Sequence, residues 1–235
     1  MAGDPPVVAA ATVGFTMDFT FRRLQRLGNR VVKLHAIALD TGDTQARKRV
    51  EATFQGIRAF LLRLNPPIDS ELHWVSHRRP VAGAREAILS ALRDAGGDGI
   101  VDLNLTGGPR VLVVASLLAA LTVPGGLAER INVYVEGESF ESSLEFNAAS
   151  ARRLAAILDD EDTPEYKIIM YITGRGEEGA TAAAIEAATG LSKSTVYEKL
   201  ARLVKSGILE RKSEPPRKQP QRFVFTRSAR RVVEG

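Results

Sequence analysis

Apolar and polar positions alternate in blocks along the first half of the chain. Short apolar runs predict five strands, at VVAAATVGF (7–15), RVVKLHAIALD (30–40), ELHWVS (71–76), IVDLNLT (100–106) and INVYVEG (131–137). Apolar residues recur at helical spacing between them and predict helices at FTFRRLQRLG (19–28), DTQARKRVEATFQGIRAFLLRL (43–64), VAGAREAILSALRDAGG (81–97) and RVLVVASLLAALTV (110–123). We expect INVYVEG to be the last strand of the sheet.

Strands that alternate with helices favour a mostly parallel sheet covered by helices on both faces. The predicted fold class is therefore α/β, with a Rossmann-like domain over residues 1–145. Ligands of such open sheets bind beyond the carboxyl ends of the strands. Three polar or glycine-bearing turns fall there and are candidates for one common ligand: GFTMDF (14–19), SHRRP (76–80) and TGGPR (106–110).

The turn TGGPR lies between an apolar strand and an apolar helix. Two adjacent glycines leave backbone N–H groups open to a ligand, and a helix N-terminus favours negative charge, so the turn predicts a phosphate site. A tight turn needed only for packing is the alternative explanation of the glycine pair. The first strand-to-helix turn holds only Gly14 in place of G-x-G-x-x-G, which disfavours an NAD-dependent oxidoreductase.

The sequence changes character after residue 145. Segment 146–162 predicts a linker helix with an acidic end, and residues 163–235 predict a winged helix-turn-helix. Its first helix starts with Thr163 as N-cap and Pro164 in the first turn, and ATAAAIEAATGLSKSTVYEKLARLVKSGILERK (180–212) predicts helix, turn, second helix and strand. A second strand at RFVFT (222–226) completes the hairpin of the wing.

Polar residues at the start of the second helix and basic residues of the wing predict contacts with double-stranded DNA. The candidates are Ser192, Lys193, Ser194, Thr195, Tyr197 and Lys199 on the helix, and Arg211, Lys212, Arg217, Lys218 and Arg222 on the wing.

Charge supports a polyanion as partner of the second half. The net charge is +4, but residues 163–235 alone carry 14 basic and 8 acidic side chains. A solvated basic tail, or a winged helix used only for protein contacts, remains the alternative.

Composition excludes several kinds of site. The chain has no cysteine, so it has no disulfide, thiolate zinc site or cysteine nucleophile. The histidines His35, His73 and His77 are scattered without metal-ligand spacing, and we expect no metal and no cofactor. No stretch is long and apolar enough for a signal peptide or a membrane span, and we expect a cytoplasmic protein without a membrane partner.

The two halves together resemble the archaeal CARF-type transcription regulators, in which a CRISPR-associated Rossmann fold domain precedes a winged helix-turn-helix. The residues that carry the likeness are ATVGFTMDFTFRRL (11–24), NLTGGPRVL (104–112) and LSKSTVYEKLARLVKSGILER (191–211). The resemblance implies a homodimer of CARF domains that binds a cyclic oligoadenylate, usually the tetra-adenylate, across its two-fold axis.

The matching ligand positions are Gly14, Phe15, Thr16, Asn104, Thr106, Gly107, Gly108 and Arg110. We expect the glycine amides to hold phosphate, Arg110 to neutralise it, and Asn104 and Thr106 to shape the turn or bond to ribose. Relatives that cleave the ring use a serine and a lysine, where this chain has Thr16 and Arg110. Arginine does not release its proton near neutral pH, so we expect no catalytic residue.

The interpretation that follows is a CRISPR-associated transcription regulator with a nucleotide-sensing domain at 1–145 and a DNA-binding domain at 163–235. Two alternatives remain. The first is a ring nuclease that cleaves the cyclic oligoadenylate, and the second is a repressor that binds a small phosphate-bearing molecule.

Overall fold

The computed structural model of the chain describes residues 5–137, 142–212, 220–226, 229, 230 and 233. The chain divides into two compact units, of which one ends at Ala148 and the other begins at Ala149. Within the described ranges, every helix is too short or too polar to cross a membrane.

The first unit is a Rossmann-like sheet with its helices. Its elements follow in the order β1 (Val7–Val13), α1 (Asp18–Leu27), β2 (Val31–Asp40), α2 (Thr44–Leu61), β3 (Asp69–Ser76), α3 (Pro80–Asp94), β4 (Ile100–Asn104), α4 (Arg110–Thr122), α5 (Gly125–Ala128), β5 (Ile131–Glu136) and β6 (Ser143–Asn147). The strand order is β3-β2-β1-β4-β5-β6. The first five strands pair in parallel and β6 pairs antiparallel with β5, which confirms the α/β class with a mostly parallel sheet.

Strand β6 corrects the expectation that the sheet ends with INVYVEG. It lies at the edge of the sheet, where Phe146 pairs with Val133 of β5. Only Phe146 of its five residues is buried, and Leu144 is the one other apolar side chain. Two apolar residues in a strand of five are too short a pattern to distinguish an edge strand from a loop by periodicity.

The core lies on both faces of the central strand β1, all of whose residues are buried. Leu24 of α1 and Phe54 of α2 pack against Ala9 and its same-face neighbours. Val8 and Ala10 are equally buried and point to the opposite face, since successive side chains of a strand alternate. Burial on both faces explains why β1 is a continuous apolar run rather than an alternating one.

A charged pair fixes α1 to the sheet. The Nε atom of Arg23 donates to Oδ1 of Asp102 on β4 at 2.9 Å, and a second guanidinium nitrogen donates to Oδ2. The same guanidinium bonds to Glu145 on β6 at 2.9 Å and lies 3.8 Å from the centre of the Tyr134 ring. Burial alone would lower the pKa of Arg23, but the hydrogen bonds and charges of Asp102 and Glu145 raise it above its ordinary value.

The second unit is a winged helix. Its elements are α6 (Ala148–Leu158), α7 (Pro164–Thr173), β7 (Ala180–Thr181), α8 (Ala182–Thr189), α9 (Lys193–Lys205), β8 (Leu209–Lys212) and β9 (Arg222–Phe225). The three strands form an antiparallel sheet in the order β7-β9-β8. Helix α6 lies in the segment expected as a linker, and its Leu154 is buried in the core of this unit.

Local capping sets the ends of these helices. The Thr163 hydroxyl accepts a hydrogen bond from the Tyr166 amide at 3.2 Å, as the sequence predicts for α7. Gly190 ends α8 with φ +69°, in the left-handed region that glycine favours, and the Ser192 hydroxyl then caps α9 by accepting from Thr195 N. Gly190 and Ser192 therefore set the end of α8 and the start of α9, and with them the turn between the two helices.

The buried pair Arg23–Asp102 gives a test of the first unit. We expect Asp102→Ala to lower the free energy of unfolding by about 3 kcal/mol, because the guanidinium keeps its burial and loses its main carboxylate. Urea unfolding followed by the fluorescence of Trp74, the single tryptophan, measures the change. The matched control is Asp98→Ala, which removes an exposed carboxylate and should change the value by less than about 0.5 kcal/mol. Equal effects of the two substitutions would contradict a stabilising role for the pair.

Candidate ligand loops and nucleic-acid surface

Two of the candidate turns meet at the carboxyl edge of the sheet. Strands β1 and β4 are parallel neighbours with Ala11 opposite Asn104, so the turns that follow them leave the sheet side by side. A Cβ built on Gly14 would lie 3.1 Å from the Cα of Gly108. The structure thus brings together GFT (14–16) and TGGPR (106–110), two segments that are far apart in the sequence.

Asn104 and Thr106 shape the second turn. Asn104 is buried, and its Nδ2 donates to the carbonyl oxygen of Phe19 at 3.2 Å while its Oδ1 accepts from Thr106 N at 3.0 Å. The Thr106 hydroxyl accepts from the Glu136 amide of β5 at 3.0 Å. Of the two roles expected for these residues, the structure displays the turn-shaping one.

Thr12, which the sequence analysis missed, holds the glycine pair. Its hydroxyl donates to the carbonyl of Gly107 at 2.5 Å. A Cβ on Gly107 would lie 2.8 Å from the Thr12 carbonyl oxygen, and Gly108 has φ +84°, so both positions need glycine. The chain carried no signal for Thr12, because it lies inside an apolar strand.

The turn presents its backbone and one cation outward. Within the described part of the chain, the amides of Gly107 and Gly108 donate to no acceptor, and α4 has no side-chain cap. Arg110 opens α4 and is exposed, without an ion pair among the described residues. Free amides beside a helix N-terminus and a cation are the arrangement that binds anions in proteins.

The first turn adds an aromatic side chain and a further cation. Phe15 and Thr16 are both exposed, and the Arg49 guanidinium of α2 lies 4.4 Å from the centre of the Phe15 ring. Arg49 was missed by the sequence analysis because the residue lies in a helix rather than in a turn. A stacked aromatic ring and guanidinium offer a surface for a nucleobase.

The third turn, SHRRP, follows the edge strand β3 and is not adjacent to the other two turns within the sheet. Its last residue, Pro80, nevertheless shares a surface groove with Arg110. The groove runs between α3 and α4 and is lined by apolar side chains. Val111, Val114 and Leu118 line it from one face of α4 and are about half exposed.

On α9, four of the predicted DNA contacts are exposed, namely Ser192, Lys193, Ser194 and Tyr197, and the hydroxyls of Ser192 and Ser194 lie 2.9 Å apart. Lys193, Ser194 and Tyr197 lie on the outward face, while Val196 and Leu200 are buried in the core. The hydroxyls of Ser192 and Thr195 are hydrogen-bonded to each other at 2.9 Å at the helix start. These two residues therefore serve the cap as well as the surface.

Lys199 differs from its predicted outward position. Its side chain is mostly buried, and its ammonium lies 3.1 Å from the Glu165 carboxylate of α7 and 3.5 Å from that of Glu198. Its long aliphatic stem covers apolar surface while the charge is neutralised within the unit.

The basic residues of the wing are partly described. Arg211 and Lys212 on β8 and Arg222 on β9 are exposed, and Lys212 pairs with Arg222 across the hairpin. Arg222 also donates to the carbonyl oxygen of Glu178 at 3.1 Å. Arg217 and Lys218 lie outside the described residues.

A polar cluster that the sequence analysis missed lies on β2 and β3. His35 Nδ1 is 2.8 Å from His73 Nε2, and His35 Nε2 is 2.9 Å from Oδ2 of Asp94 at the end of α3. Burial lowers the pKa of both imidazoles, so they are neutral at neutral pH. The available signal was the repeated pattern KLH (33–35) and ELH (71–73) on strands predicted to be parallel.

Comparison with protein families divides the chain in the same way as its fold. Residues 7–147 match the Csa3 CRISPR-associated Rossmann-like domain, and residues 162–219 match the MarR family. A CARF domain therefore precedes a MarR-type winged helix. No curated protein matches the chain.

Two solved structures are similar to this chain, one to about a third of it and one to nearly all of it. One is a predicted DNA-binding transcriptional regulator from E. coli, which is 24% identical over 36% of this chain and 85% of that chain, with a TM-score of 0.27. The other is a Vibrio cholerae protein, 10% identical over 97% of this chain, with a TM-score of 0.36. This chain spans only 64% of the length of the Vibrio cholerae protein.

The positive φ of Gly108 predicts a cost for any side chain there. We expect Gly108→Ala to lower the free energy of unfolding by about 1–3 kcal/mol, because the backbone must keep a left-handed conformation beside the Val13 carbonyl. The control is Gly126→Ala, whose Cβ would meet nothing within 4 Å and which should be neutral or slightly stabilising. Urea unfolding monitored at Trp74 compares the two, and an unchanged midpoint for Gly108→Ala would contradict the strain.

Proposed function

Because the chain belongs to the family of the Csa3 CRISPR-associated Rossmann-like domain, we propose that it is a regulator that binds a cyclic oligoadenylate and controls DNA binding. A CARF domain followed by a MarR-type winged helix is the architecture of a CRISPR-associated transcription regulator rather than of an enzyme. We propose cyclic tetra-adenylate, the ligand that the family resemblance implies, with two-fold related halves on two subunits.

The contact between the turns after β1 and β4 carries the proposal. It sets the free amides of Gly107 and Gly108, the cation of Arg110 and the exposed ring of Phe15 on one edge of the sheet. Amides and arginine suit a phosphate, and the aromatic ring suits an adenine base. A ligand that repeats phosphate and adenine uses both kinds of group.

The apolar face of α4 supports a homodimer. Helix α4 is apolar on nearly all sides, and a helix of that kind is ordinarily buried all round. Its exposed residues Val111, Val114 and Leu118 form one stripe beside Arg110. A two-fold axis along this stripe covers it and brings the two copies of TGGPR close together, so that each subunit supplies half of the ligand site.

The winged helix supplies the DNA contacts. We assign the exposed Lys193, Ser194 and Tyr197 of α9 to the major groove, and the exposed Arg211, Lys212 and Arg222 to the flanking phosphates. We assign Arg217 and Lys218 to the same wing surface from their positions in the sequence alone.

Regulation requires that the ligand bind two dimer arrangements with different affinity, typically by about 1–3 kcal/mol. Segment 146–162 is the covalent connection between the nucleotide-sensing domain at 1–145 and the DNA-binding domain at 163–235. Its helix α6 directly follows β6 in the chain and buries Leu154 in the second unit, and we assign to this segment the transmission of the ligand signal.

We expect Arg110→Ala to weaken the binding of cyclic tetra-adenylate about 10- to 100-fold, because a charge-assisted hydrogen bond to phosphate is lost. Isothermal titration calorimetry measures the dissociation constant. Arg63→Ala, which removes an exposed arginine distant in sequence from both turns, is the control and should bind as the wild type.

Failure of the wild type to bind any cyclic oligoadenylate would overturn the ligand assignment. Turnover to a linear product in excess of the protein would show a ring nuclease, and binding of another phosphate ester alone would show a different repressor.

We expect Lys193→Ala to weaken DNA binding and to reduce the slope of log K against log salt by about 1, because one phosphate contact and its counterion are lost. Fluorescence anisotropy with a duplex from the protein's own upstream region, measured over a salt series, gives the slope. Lys205→Ala at the other end of α9 has the same charge change and is the control. A wild type that binds no duplex at low salt would contradict the regulator.

A further inference from the structure

We propose that His35, His73 and Glu71 form a binding site for a divalent transition-metal ion of the zinc type. Ligand atoms of the three side chains lie within 4.8 Å of one another. His35 Nδ1 and His73 Nε2 are 2.8 Å apart, and His73 Nε2 is 3.7 Å from Oε1 of Glu71. Two imidazoles and one carboxylate are a donor set that zinc binds in proteins, whereas magnesium and calcium prefer oxygen ligands alone.

The pairing of two parallel strands creates the cluster. His35 on β2 lies opposite Glu71 on β3, and Ile37 lies opposite His73. Residues 35 and 37 share one face of β2, as residues 71 and 73 share one face of β3, because side chains alternate along a strand. The three donors therefore come from rigid backbone on one face rather than from flexible loops.

The distances agree with those of a metal site. Ligands around a tetrahedral zinc ion lie about 3.4 Å apart, since Zn–N bonds are about 2.1 Å long. The two observed separations of 2.8 and 3.7 Å lie on either side of this value. The third separation, between His35 and Glu71, is no more than 4.8 Å.

A second shell orients the buried histidine. Asp94 Oδ2 lies 2.9 Å from His35 Nε2, and this carboxylate holds the ring proton on Nε2 so that the lone pair of Nδ1 faces the other donors. Lys33 binds Asp94 at 2.7 Å and the outer oxygen Oε2 of Glu71 at 3.3 Å. The other carboxylate oxygen of Glu71, Oε1, is the one that lies toward His73.

An ion can enter the site from the edge of the sheet. His35 is fully buried, His73 is partly buried and Glu71 is exposed, and β3 is an edge strand. Three protein donors leave a fourth tetrahedral position for water on the exposed side. The bound ion would join β3 to β2, and it would lie near the middle of these strands, apart from the candidate ligand loops that follow the carboxyl ends of β1 and β4.

Untagged protein, treated with a chelator and then freed of it, provides the test. Calorimetry with Zn²⁺ should give one equivalent bound, and Co²⁺ should give the visible absorption of a four-coordinate ion. The thermal midpoint should rise with Zn²⁺ because the ion binds the folded state only. Trp74, next to His73 on β3, provides a fluorescence readout that needs no DNA or nucleotide.

Variants distinguish this site from general surface binding. We expect His73→Gln and Asp94→Asn each to weaken Zn²⁺ binding by at least about 10-fold, the loss typical of ligand or second-shell changes. His77→Gln removes the one histidine outside the cluster and should bind as the wild type. Circular dichroism checks that each variant is folded.

The proposal is overturned if the folded wild type binds no equivalent of Zn²⁺, or if His73→Gln and His77→Gln change the affinity equally. If His73→Gln is unfolded, Asp94→Asn, which changes an exposed carboxylate, decides the question. Unchanged affinity in folded Asp94→Asn together with an unchanged Co²⁺ spectrum would also overturn it.

Discussion

The turns after β1 and β4 approach so closely that only backbone fits between them. A Cβ at Gly14 would come within 3.1 Å of Gly108, and one at Gly107 within 2.8 Å of the Thr12 carbonyl oxygen. No side chain can occupy this contact, so the turns can offer a ligand only amides and the residues that point outward. Arg110, at the start of α4, follows two glycines whose amides have no acceptor in the part of the chain that the structure describes.

Helix α9 of the second unit has one buried face and one exposed face. Val196 and Leu200 of α9 are buried, while Lys193 and Tyr197 on the opposite face are exposed. Lys199 resembles the buried residues, since its ammonium pairs with Glu165 and its side chain is mostly buried. The sequence of α9 therefore predicts more exposed positive charge than the folded helix has.

The polar cluster on β2 and β3 shows a different use of the sheet. His35 is wholly buried, which is costly for a polar side chain unless each ring nitrogen has a partner, and His73 and Asp94 provide those partners. Lys33 completes the network at the surface. The first unit thus has two separate polar regions, with glycine amides and Arg110 at the carboxyl edge of the sheet and the imidazole and carboxylate groups near the middle of β2 and β3.

The sequence by itself determined the α/β class, five of the six strands of the first unit, the winged helix and the turns that hold the candidate sites. These follow from periodicity, caps and glycines, which are properties of consecutive residues. Only the tertiary structure decided which distant side chains meet: Thr12 with Gly107, Lys199 with Glu165, and His35 with His73, 38 positions apart. The repeated KLH and ELH pattern was a signal for the histidine pair, but such contacts depend on strand register and helix packing, which are not properties of consecutive residues.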